Sequence, residues 1–450
     1  MDHGRNFDRI TESVAKALTK RRIDLYEIFY GASRRLSIEA EGGAVEDYKF
    51  AEPYGVALRI IAGGGMGFSF STRPDDAAIE TMVRTAFDGA RHSTPDDHHA
   101  FAEPSDGLPD TGLLYDEAID AVPLEDKIKR ALAVEEGALG ADPRVVRVRS
   151  ARYAESVSEV FIANSLGLSA SYKKSVVSAQ LMATAEEAGE QEMGYDADFS
   201  ITYAGLDPTL VGRRAGANAA EHLGARKAPT GRFAALLTNE VAAELLGVLS
   251  ASFLGENVLK GKSMLAEKED TRIFSELISI VDDGIMPGGI ASAPVDDEGI
   301  VRGRVDLVKN GVLFGFLYDL LSARRAGKRP TGSSARDGVA SPPAPGTGNL
   351  FIARGKKSPD DLIREAGSGV IITELMGVHT ANPVTGEFSV GAVGFVCEGG
   401  QKKYPFKEGA VSGDLVSLFD RVVGVGSDLR FFGGVGAPSL LVEGLDISGQ

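Results

Sequence analysis

The glycines of this chain are concentrated in its second half, and they restrict how that half can fold. Of the 55 glycines, 21 fall within residues 1–225 and 34 within residues 226–450. Short β-prone segments stand between them, among them the β-branched run at 370–373 and the hairpin signature Asn310-Gly311. Because glycine suits bends and bulges, residues 227–450 are predicted to form a curved, barrel-like, antiparallel β domain. Helices are expected there only at 241–249 and 358–366, and residues 324–348 are expected to form a loop.

Residues 1–226 instead alternate helical and strand patterns. Apolar residues recur at helical spacing near residues 7–18 and 79–90, and three or four strands are expected between residues 145 and 203. Residues 227–231 have the composition of a short linker. The predicted fold class is therefore α+β. An N-terminal α/β-layered domain with a largely antiparallel sheet (1–226) precedes the glycine-rich β domain (227–450).

Charge and composition exclude several classes of protein. Lys and Arg number 48 against 64 Asp and Glu, and the net charge of −16 argues against binding to a phosphate backbone. The single cysteine, Cys397, excludes an intrachain disulfide and a thiolate-rich zinc or iron–sulfur site within one chain. The start of the sequence is charged and no long apolar run follows, so a cytoplasmic protein without membrane contact is expected.

Individual catalytic motifs are weak. His98-His99 with Asp96 and Asp97 is the only dense cluster of potential metal ligands, and its polar context favours solvated turn residues. Asp110-Thr111-Gly112 matches the core of an aspartic protease site, but one copy after a proline favours a turn. The segment 255–263 nearly reproduces a phosphate-binding loop, with one residue too many between its glycines.

A polar loop between two strand-like segments is the strongest candidate for a binding surface. Residues 376–389 follow a β run, and a second strand is expected to resume at Val390. Such loops commonly carry binding groups on a rigid scaffold, although a plain hairpin turn would have the same composition. The candidate contact residues for a peptide or a partner are His379, Asn382, Thr385, Gly386, Glu387 and Ser389.

The same loop carries a resemblance to a known family. The sequence resembles the TldD/TldE (PmbA) family over essentially its whole length. The matching segments are 373–377, 382–389, Gly391, Gly394-Phe395, Tyr404-Pro405, Pro229-Thr230-Gly231, Gly261-Lys262-Ser263 and 433–449. This resemblance implies an α+β N-terminal domain, a curved barrel-like C-terminal domain, and a role in a two-subunit zinc peptidase. That peptidase trims peptide precursors and degrades poorly folded small proteins.

The resemblance also distinguishes between the two subunits. The catalytic TldD-type chain carries His-Glu-x-x-x-His on the first helix of its C-terminal domain, and a cysteine ligand near its C-terminus. Here the corresponding helix, around residues 241–254, has no histidine, residues 427–433 have no cysteine, and Cys397 lies outside the ligand position. The chain is therefore similar to the TldE/PmbA side, with neither a catalytic residue nor a metal ligand of its own, and zinc is expected in a TldD-like partner.

Several functions remain compatible with the sequence. The resemblance implies a non-catalytic subunit that works with its TldD-like paralogue on unfolded peptide, which would pair as an added strand with a sheet edge. One alternative is an independent hydrolase with an unrecognised site, such as the His98-His99 cluster or a dimer centred on Asp110. Another is a homodimeric peptide-binding or scaffold protein, and a homodimer is also possible for the isolated subunit.

Overall fold

A seven-stranded antiparallel sheet forms the first half of the protein in the computed structural model, which describes residues 3–449. Its strands are β1 (Leu25–Glu41), β2 (Ala44–Ala51), β3 (Tyr54–Ala62), β4 (Gly65–Ser71), β5 (Val145–Asn164), β6 (Ser169–Glu187) and β7 (Glu190–Ser200). The strand order is β4-β3-β1-β5-β6-β7. Strand β2 pairs with the second half of β1, beyond the end of β3.

Helices cover one face of this sheet, and the second half of the chain covers the part of the other face around Phe29, Ala57 and Ile162. They are α1 (His3–Thr19), α2 (Asp76–His92), α3 (Ala118–Ala121), α4 (Leu124–Leu139) and α5 (Pro208–Glu221). Every second residue of β6 from Ser175 to Ala185 is buried, as expected for a strand with one helix-covered face. The close α4–α5 contact requires glycine, since a Cβ at Gly212 would lie 2.0 Å from the Val134 carbonyl oxygen. The sheet is a half-barrel whose other face is open only along the part that the second half of the chain does not cover.

The part of the chain that follows α5 contains two larger sheets. Its strands are β8 (Arg226–Lys227), β9 (Gly231–Leu237), β10 (Ile280–Asp283), β11 (Arg304–Lys309), β12 (Val312–Leu313), β13 (Ser334–Ala335), β14 (Ala344–Pro345), β15 (Asn349–Ile352), β16 (Gly369–Met376), β17 (Glu387–Glu398), β18 (Gln401–Asp414), β19 (Val422–Val425), β20 (Arg430–Phe432), β21 (Val435–Ala437) and β22 (Leu440–Gly449). Its helices are α6 (Asn239–Ser250), α7 (Gly255–Leu259), α8 (Leu320–Ala326), α9 (Pro359–Ala366) and α10 (Leu415–Asp420).

A closed β barrel lies in this half. The strand order is β19-β22-β9-β16-β17-β18-β8, and a further pairing of β18 with β22 closes the ring. A second sheet has the order β12-β11-β10-β15-β21-β20. Glycine allows the bends, as at Gly394, where a Cβ would lie 1.9 Å from the Ile371 carbonyl oxygen beside irregular pairing. Gly377 starts the turn after β16 with φ of 85°.

The α+β class with an antiparallel first sheet and a barrel in the second half is confirmed. The second half is not purely antiparallel, because β8–β18, β9–β16 and β15–β21 pair in parallel. The prediction of a loop at 324–348 is wrong at its start, because residues 324–326 belong to α8. The Asp319 carboxylate accepts a hydrogen bond from Ser322 N at 2.8 Å, and Gly327 ends the helix with φ of 64°. Asn310 and Gly311 form the predicted hairpin turn, with φ of 48° and 79°.

Buried charges join the two halves. The Glu27 carboxylate on β1 accepts hydrogen bonds from Arg59 Nε and Nη2 at 2.9 and 2.6 Å, and from Arg336 Nη2 at 2.6 Å. Arg59 Nη1 also donates to Glu298 Oε1 at 2.8 Å. All four side chains are buried, so each charge depends on its partners for compensation. Within the part of the chain described, no helix is both long and apolar enough to span a membrane.

Candidate functional site

The start of α6 lies where the barrel, the second sheet and the half-barrel meet. The helix follows β9 directly and packs against β16, β20 and β21. Its apolar residues are buried on several sides, as the consecutive Val241, Ala242 and Ala243 show. Asn239 Nδ2 donates to the Asp428 carbonyl oxygen at 3.1 Å. This bond joins the helix to segment 427–433, so the two regions singled out by the family resemblance are neighbours in space.

Two glutamates stand one turn apart on this helix. Desolvation raises the pKa of Glu240 to about 7, and the negative charges of Asp196 and Glu374 add to the effect while Arg430 opposes it. Desolvation, together with the charges of Glu240 and Glu374, raises the pKa of Glu244 to about 7 as well. Solvent reaches Glu244, which weakens the effect there, and Glu240 is the stronger case. Near neutral pH the helix therefore presents a partly protonated carboxyl group at Glu240.

The edge of the half-barrel contributes Asp196 to the same region. Its side chain is 3% exposed and accepts a hydrogen bond at Oδ1 from Arg430 Nη2 at 2.8 Å. The same nitrogen donates to the Ala197 carbonyl oxygen at 2.7 Å, and the guanidinium lies 4.9 Å from the centre of the Phe432 ring. Arg214 Nη1 lies 3.7 Å from the other Asp196 oxygen. Segment 427–433 is thus attached to β7 by a largely buried ion pair.

The side chains at this position do not suit zinc. Zinc in proteins prefers imidazole nitrogen and thiolate sulfur, and the start of α6 offers an amide and two carboxyls instead. Within residues 3–449, no group of three or more His, Cys, Asp or Glu side chains is placed to hold a metal ion. Cys397 is buried in β17, with its sulfur 3.8 Å from the Gly367 carbonyl oxygen, and burial raises the pKa of its thiol.

The candidate contact loop forms a structured turn next to the segment that follows α6. The Asn382 side-chain oxygen accepts hydrogen bonds from Val384 N and Thr385 N at 2.9 and 3.2 Å. Gly386 adopts φ of 81°, and a Cβ there would lie 2.8 Å from the Met264 sulfur. Ser252 Oγ donates to the Pro383 carbonyl oxygen at 3.4 Å, which anchors the loop.

The structure separates the six candidate residues into two groups. His379, Asn382, Thr385 and Gly386 lie in the turn, and all but Gly386 are exposed. Glu387 and Ser389 were expected in the loop but lie on β17, because Glu387 pairs with Asp414 and Ser389 with Ser412. Both point to solvent, and Thr385 Oγ1 donates to Glu387 Oε2 at 3.3 Å. The turn and the start of β17 therefore form one exposed polar surface.

The two alternative sites are occupied by structural contacts. His98 Nδ1 lies 2.7 Å from Asp96 Oδ1, and Arg325 Nη2 donates to the other Asp96 oxygen at 2.6 Å. A hydrogen bond from His98 N at 2.8 Å, together with these two side-chain contacts, holds the pKa of Asp96 well below its usual range. The bond from Arg325 also attaches the loop to α8. Asp110 Oδ1 accepts from Gly112 N at 2.8 Å, which is the arrangement of a turn.

Sequence reasoning missed the residues around the start of α6. Glu240 and Glu244 had the visible signal of helical i, i+4 spacing, within a segment otherwise typical of an apolar core helix. Asp196 and Arg430 are 234 residues apart, so no local pattern connects them. Glu374 lies in the segment that carries the family resemblance, and only the structure brings its charge close to α6.

Solved structures place this architecture in a defined class of multidomain α+β protein. A proposed modulator of DNA gyrase from Thermotoga maritima MSB8 superposes with a TM-score of 0.90 and 27% identity, covering 98% of this chain and 100% of that one. TldE from Thermococcus kodakarensis superposes with a TM-score of 0.88 over 97% of this chain and 100% of that one. At 21% identity, the second match shows the fold alone.

Sequence comparison then identifies the family. Profiles of the PmbA/TldA metallopeptidase family match residues 26–90 as domain 1, 117–223 as the central domain and 230–449 as the C-terminal domain. The chain is 28% identical over 446 residues to metalloprotease PmbA of Escherichia coli O157:H7, covering 97% of this chain and 95% of that protein. The chain belongs to the PmbA/TldD family of metallopeptidases, as its sequence predicted.

Proposed function

We propose that this chain is the non-catalytic, TldE/PmbA-type subunit of a heteromeric zinc metallopeptidase. The complex would cleave unfolded peptides and process peptide precursors in the cytoplasm. Zinc would belong to a TldD-like paralogue, and this chain would carry neither a catalytic residue nor a metal ligand. Membership of a metallopeptidase family supports the peptidase role, and the side chains of α6 support the division between subunits.

The observation that carries this proposal is the sequence of the first turns of α6. We place the counterpart of the family's catalytic motif His-Glu-x-x-x-His at residues 239–244, so that Asn239 and Glu244 would stand at the two histidine positions and Glu240 at the glutamate position. The hydrogen bond from Asn239 to Asp428 places this turn beside 427–433, where the catalytic chain would supply its cysteine. The scaffold of the site would then be present, but without the imidazole and thiolate groups that zinc prefers.

In the complex, the surface of this subunit that faces the peptide or the paralogue would include the turn at 377–386 and the start of β17. We propose His379, Asn382, Thr385, Gly386, Glu387 and Ser389 as residues that contact the peptide or the paralogue. Their exposure and the rigid hydrogen bonding of the turn support this role. An unfolded peptide would add as a strand to a sheet edge, with main-chain hydrogen bonds that tolerate many sequences.

The proposal is tested by purifying the chain alone and together with the His-Glu-x-x-x-His-bearing paralogue from its genome. The mixture should cleave unfolded peptides, and a chelator should abolish the cleavage. The isolated chain should be inert. Chelator-sensitive cleavage by the isolated chain at the rate of the mixture would contradict the division between subunits.

A further inference from the structure

The second half of the chain covers only one end of the sheet face that lies opposite the helices. Val295 joins Phe29, Ala57 and Ile162 in one buried apolar cluster there. Farther along β1, a groove of about 510 Å³ lies on the same face, and all of the residues that line it belong to the first half. We call this part of the face, around residues 35–39 of β1, the open strip. In the single chain it is accessible to a ligand.

The strand registers divide the open strip into three rows that cross the sheet. Alternate residues of β1 face the strip, so Arg35, Ser37 and Glu39 each belong to one row. Each row contains one cation: Arg35 itself in the first, Lys49 of β2 opposite Ser37 in the second, and Arg152 of β5 opposite Glu39 in the third. Successive rows are about 7 Å apart, twice the rise per residue of a strand. The cations therefore follow β1 at a regular spacing.

Small side chains form the floor of the groove between these cations. They are Ser37, Ala51, Ala154, Ser156 and Ser178. Phe199 of β7 lines the far side of the groove and adds an apolar surface. The peptide groups of β1 and β5 already pair with strands on both sides, so a ligand lying on this face is held through side chains. Specificity on the open strip would therefore come mainly from its charges.

The three cations have charge left to offer a ligand. Within residues 3–449, Arg35 is exposed and its side chain forms neither an ion pair nor a hydrogen bond. Arg152 Nη2 donates to Glu39 Oε2 at 3.2 Å, but Arg152 Nε is buried and has no hydrogen-bond partner in the described part of the chain. Lys49 forms an exposed ion pair with Asp47. Because exposed ion pairs are weak, carboxylates of a ligand can join or replace these partners.

The groove is positively charged in a chain whose net charge is −16. Its one acidic lining residue, Glu155, is compensated from the helix-covered face. The Glu155 carboxylate accepts hydrogen bonds from Lys127 Nζ at 2.6 Å and from Tyr153 Oη at 2.7 Å. Charge complementarity therefore favours a ligand with a few carboxylates. The negative charge of the chain as a whole disfavours a long polyanion such as a nucleic acid.

We propose that the open strip binds an extended, acidic segment of the unfolded peptide, whose carboxylates contact Arg35, Lys49 and Arg152. The inference rests on the proposed function, and it gives the peptidase a preference for acidic substrates. Alternate side chains of an extended peptide point to the same face and lie about 7 Å apart, which equals the spacing of the three rows. A peptide with Glu or Asp at positions i, i+2 and i+4 therefore places one carboxylate on each row.

Peptide binding to the full native chain tests the inference without any cleavage. Three fluorescein-labelled peptides of Gly and Ser carry three glutamates at alternate positions, three glutamines at the same positions, or three glutamates in succession. Fluorescence anisotropy measures their affinities at low salt. The alternating acidic peptide should bind about tenfold more tightly than the glutamine peptide, and this preference should fade at high salt. The peptide with successive glutamates should bind more weakly than the alternating one, because its side chains point to both faces.

Charge reversal identifies the residues that set the preference. The variant Arg35→Glu should reduce the preference for the alternating acidic peptide by about threefold or more. The control Arg84→Glu, at an exposed position of α2 on the helix-covered side, should keep it. The double variant Arg35→Glu, Lys49→Glu should instead prefer a peptide with three lysines at the alternate positions. A misfolded chain would not reverse its preference in this way. In the complex with the paralogue, kcat/KM should follow the same order of peptides.

The outcomes separate this inference from the proposed function. Equal binding of the acidic and glutamine peptides by the native chain would overturn the inference, even if the complex cleaves both. So would an unchanged preference in Arg35→Glu, or displacement of the acidic peptide by an equal concentration of a single-stranded oligonucleotide of the same charge. A complex that cleaves no peptide would contradict the proposed function alone, because the anisotropy measurement does not depend on cleavage.

Discussion

Arg430 Nη2 donates a 2.8 Å hydrogen bond to Asp196 Oδ1, joining two residues that lie 234 positions apart. The bond connects the segment beside α6 to the last strand of the half-barrel. Because Asp196 is almost fully buried, removing its partner leaves a carboxyl group with reduced compensation in a desolvated place. This ion pair fixes the position of the half-barrel relative to the start of α6.

The variant Arg430→Ala should therefore destabilise the protein by about 3 kcal/mol, the usual cost of breaking a buried ion pair. Urea unfolding followed by circular dichroism measures the loss. The matched control is Arg232→Ala, which removes a pair with Asp446 whose two side chains are 57% and 58% exposed. That control should cost about 1 kcal/mol or less. Equal effects of the two variants would contradict a structural role for Arg430.

Substitution of Glu27 should destabilise the protein more than substitution of Arg430, because Glu27 compensates the charges of two buried arginines. The variant Glu27→Gln leaves Arg59 and Arg336 short of negative charge and should cost about 3–5 kcal/mol. Thermal unfolding would show a clear drop in midpoint, whereas Glu80→Gln, at an exposed ion pair on α2, should change it little. A Glu27 variant as stable as the Glu80 variant would show that the buried network does not join the two halves.

Glu240 gives the stability a defined pH dependence. Its pKa is about 7 in the folded protein against an ordinary value of 4.5, so the folded state binds the proton more tightly than the unfolded state. The stability that Glu240 contributes to the folded state is therefore fully present below about pH 4.5 and is lost as the pH rises through about 7. Compared with the native chain, the variant Glu240→Gln should therefore gain about 2 kcal/mol in free energy of unfolding between pH 5 and pH 8. Urea unfolding at both pH values measures this difference, and an unchanged pH dependence would contradict a desolvated Glu240.

Substitutions in the exposed polar surface at 377–389 should reduce function without reducing stability. In the assembled peptidase, His379→Ala and Glu387→Ala should lower peptide cleavage several-fold, while their effects on stability stay within about 0.5 kcal/mol because both side chains are exposed. The zinc content of the complex should not change. The control Lys403→Ala, on the exposed start of β18, should leave cleavage unchanged. Full activity in both loop variants would remove this surface from the proposed site.

Local patterns in the sequence were sufficient for much of the fold. The hairpin at Asn310-Gly311 and the amphipathic helix α2 depend on neighbouring residues, and both are confirmed. The parallel pairing of β9 with β16 could not be predicted, because the two strands come together across more than a hundred intervening residues. The division between residues 226 and 227 stays a prediction.

The candidate site was harder to predict than the fold. Glu240 and Glu244 are visible in the sequence, but the charges that act on them come from Asp196 and Glu374, far away in the chain. The loop around Asn382 was predicted as a polar turn, and its side-chain hydrogen bonds agree with that. The predicted end of the loop lies too far along the sequence, because Glu387 already belongs to β17, where it pairs with Asp414. Desolvation and long-range pairing depend on the three-dimensional arrangement of the chain, which local patterns do not contain.

The central claim, that zinc belongs to the paralogue alone, is tested most directly by the metal content of the purified complex. Elemental analysis of the active heteromer should give one zinc per pair of subunits, and the chain purified by itself should bind zinc at far below one equivalent. The asymmetry follows from the amide and carboxyl groups that α6 presents in place of imidazoles. Two zinc ions per pair, or one tightly bound zinc in the isolated chain, would contradict the account.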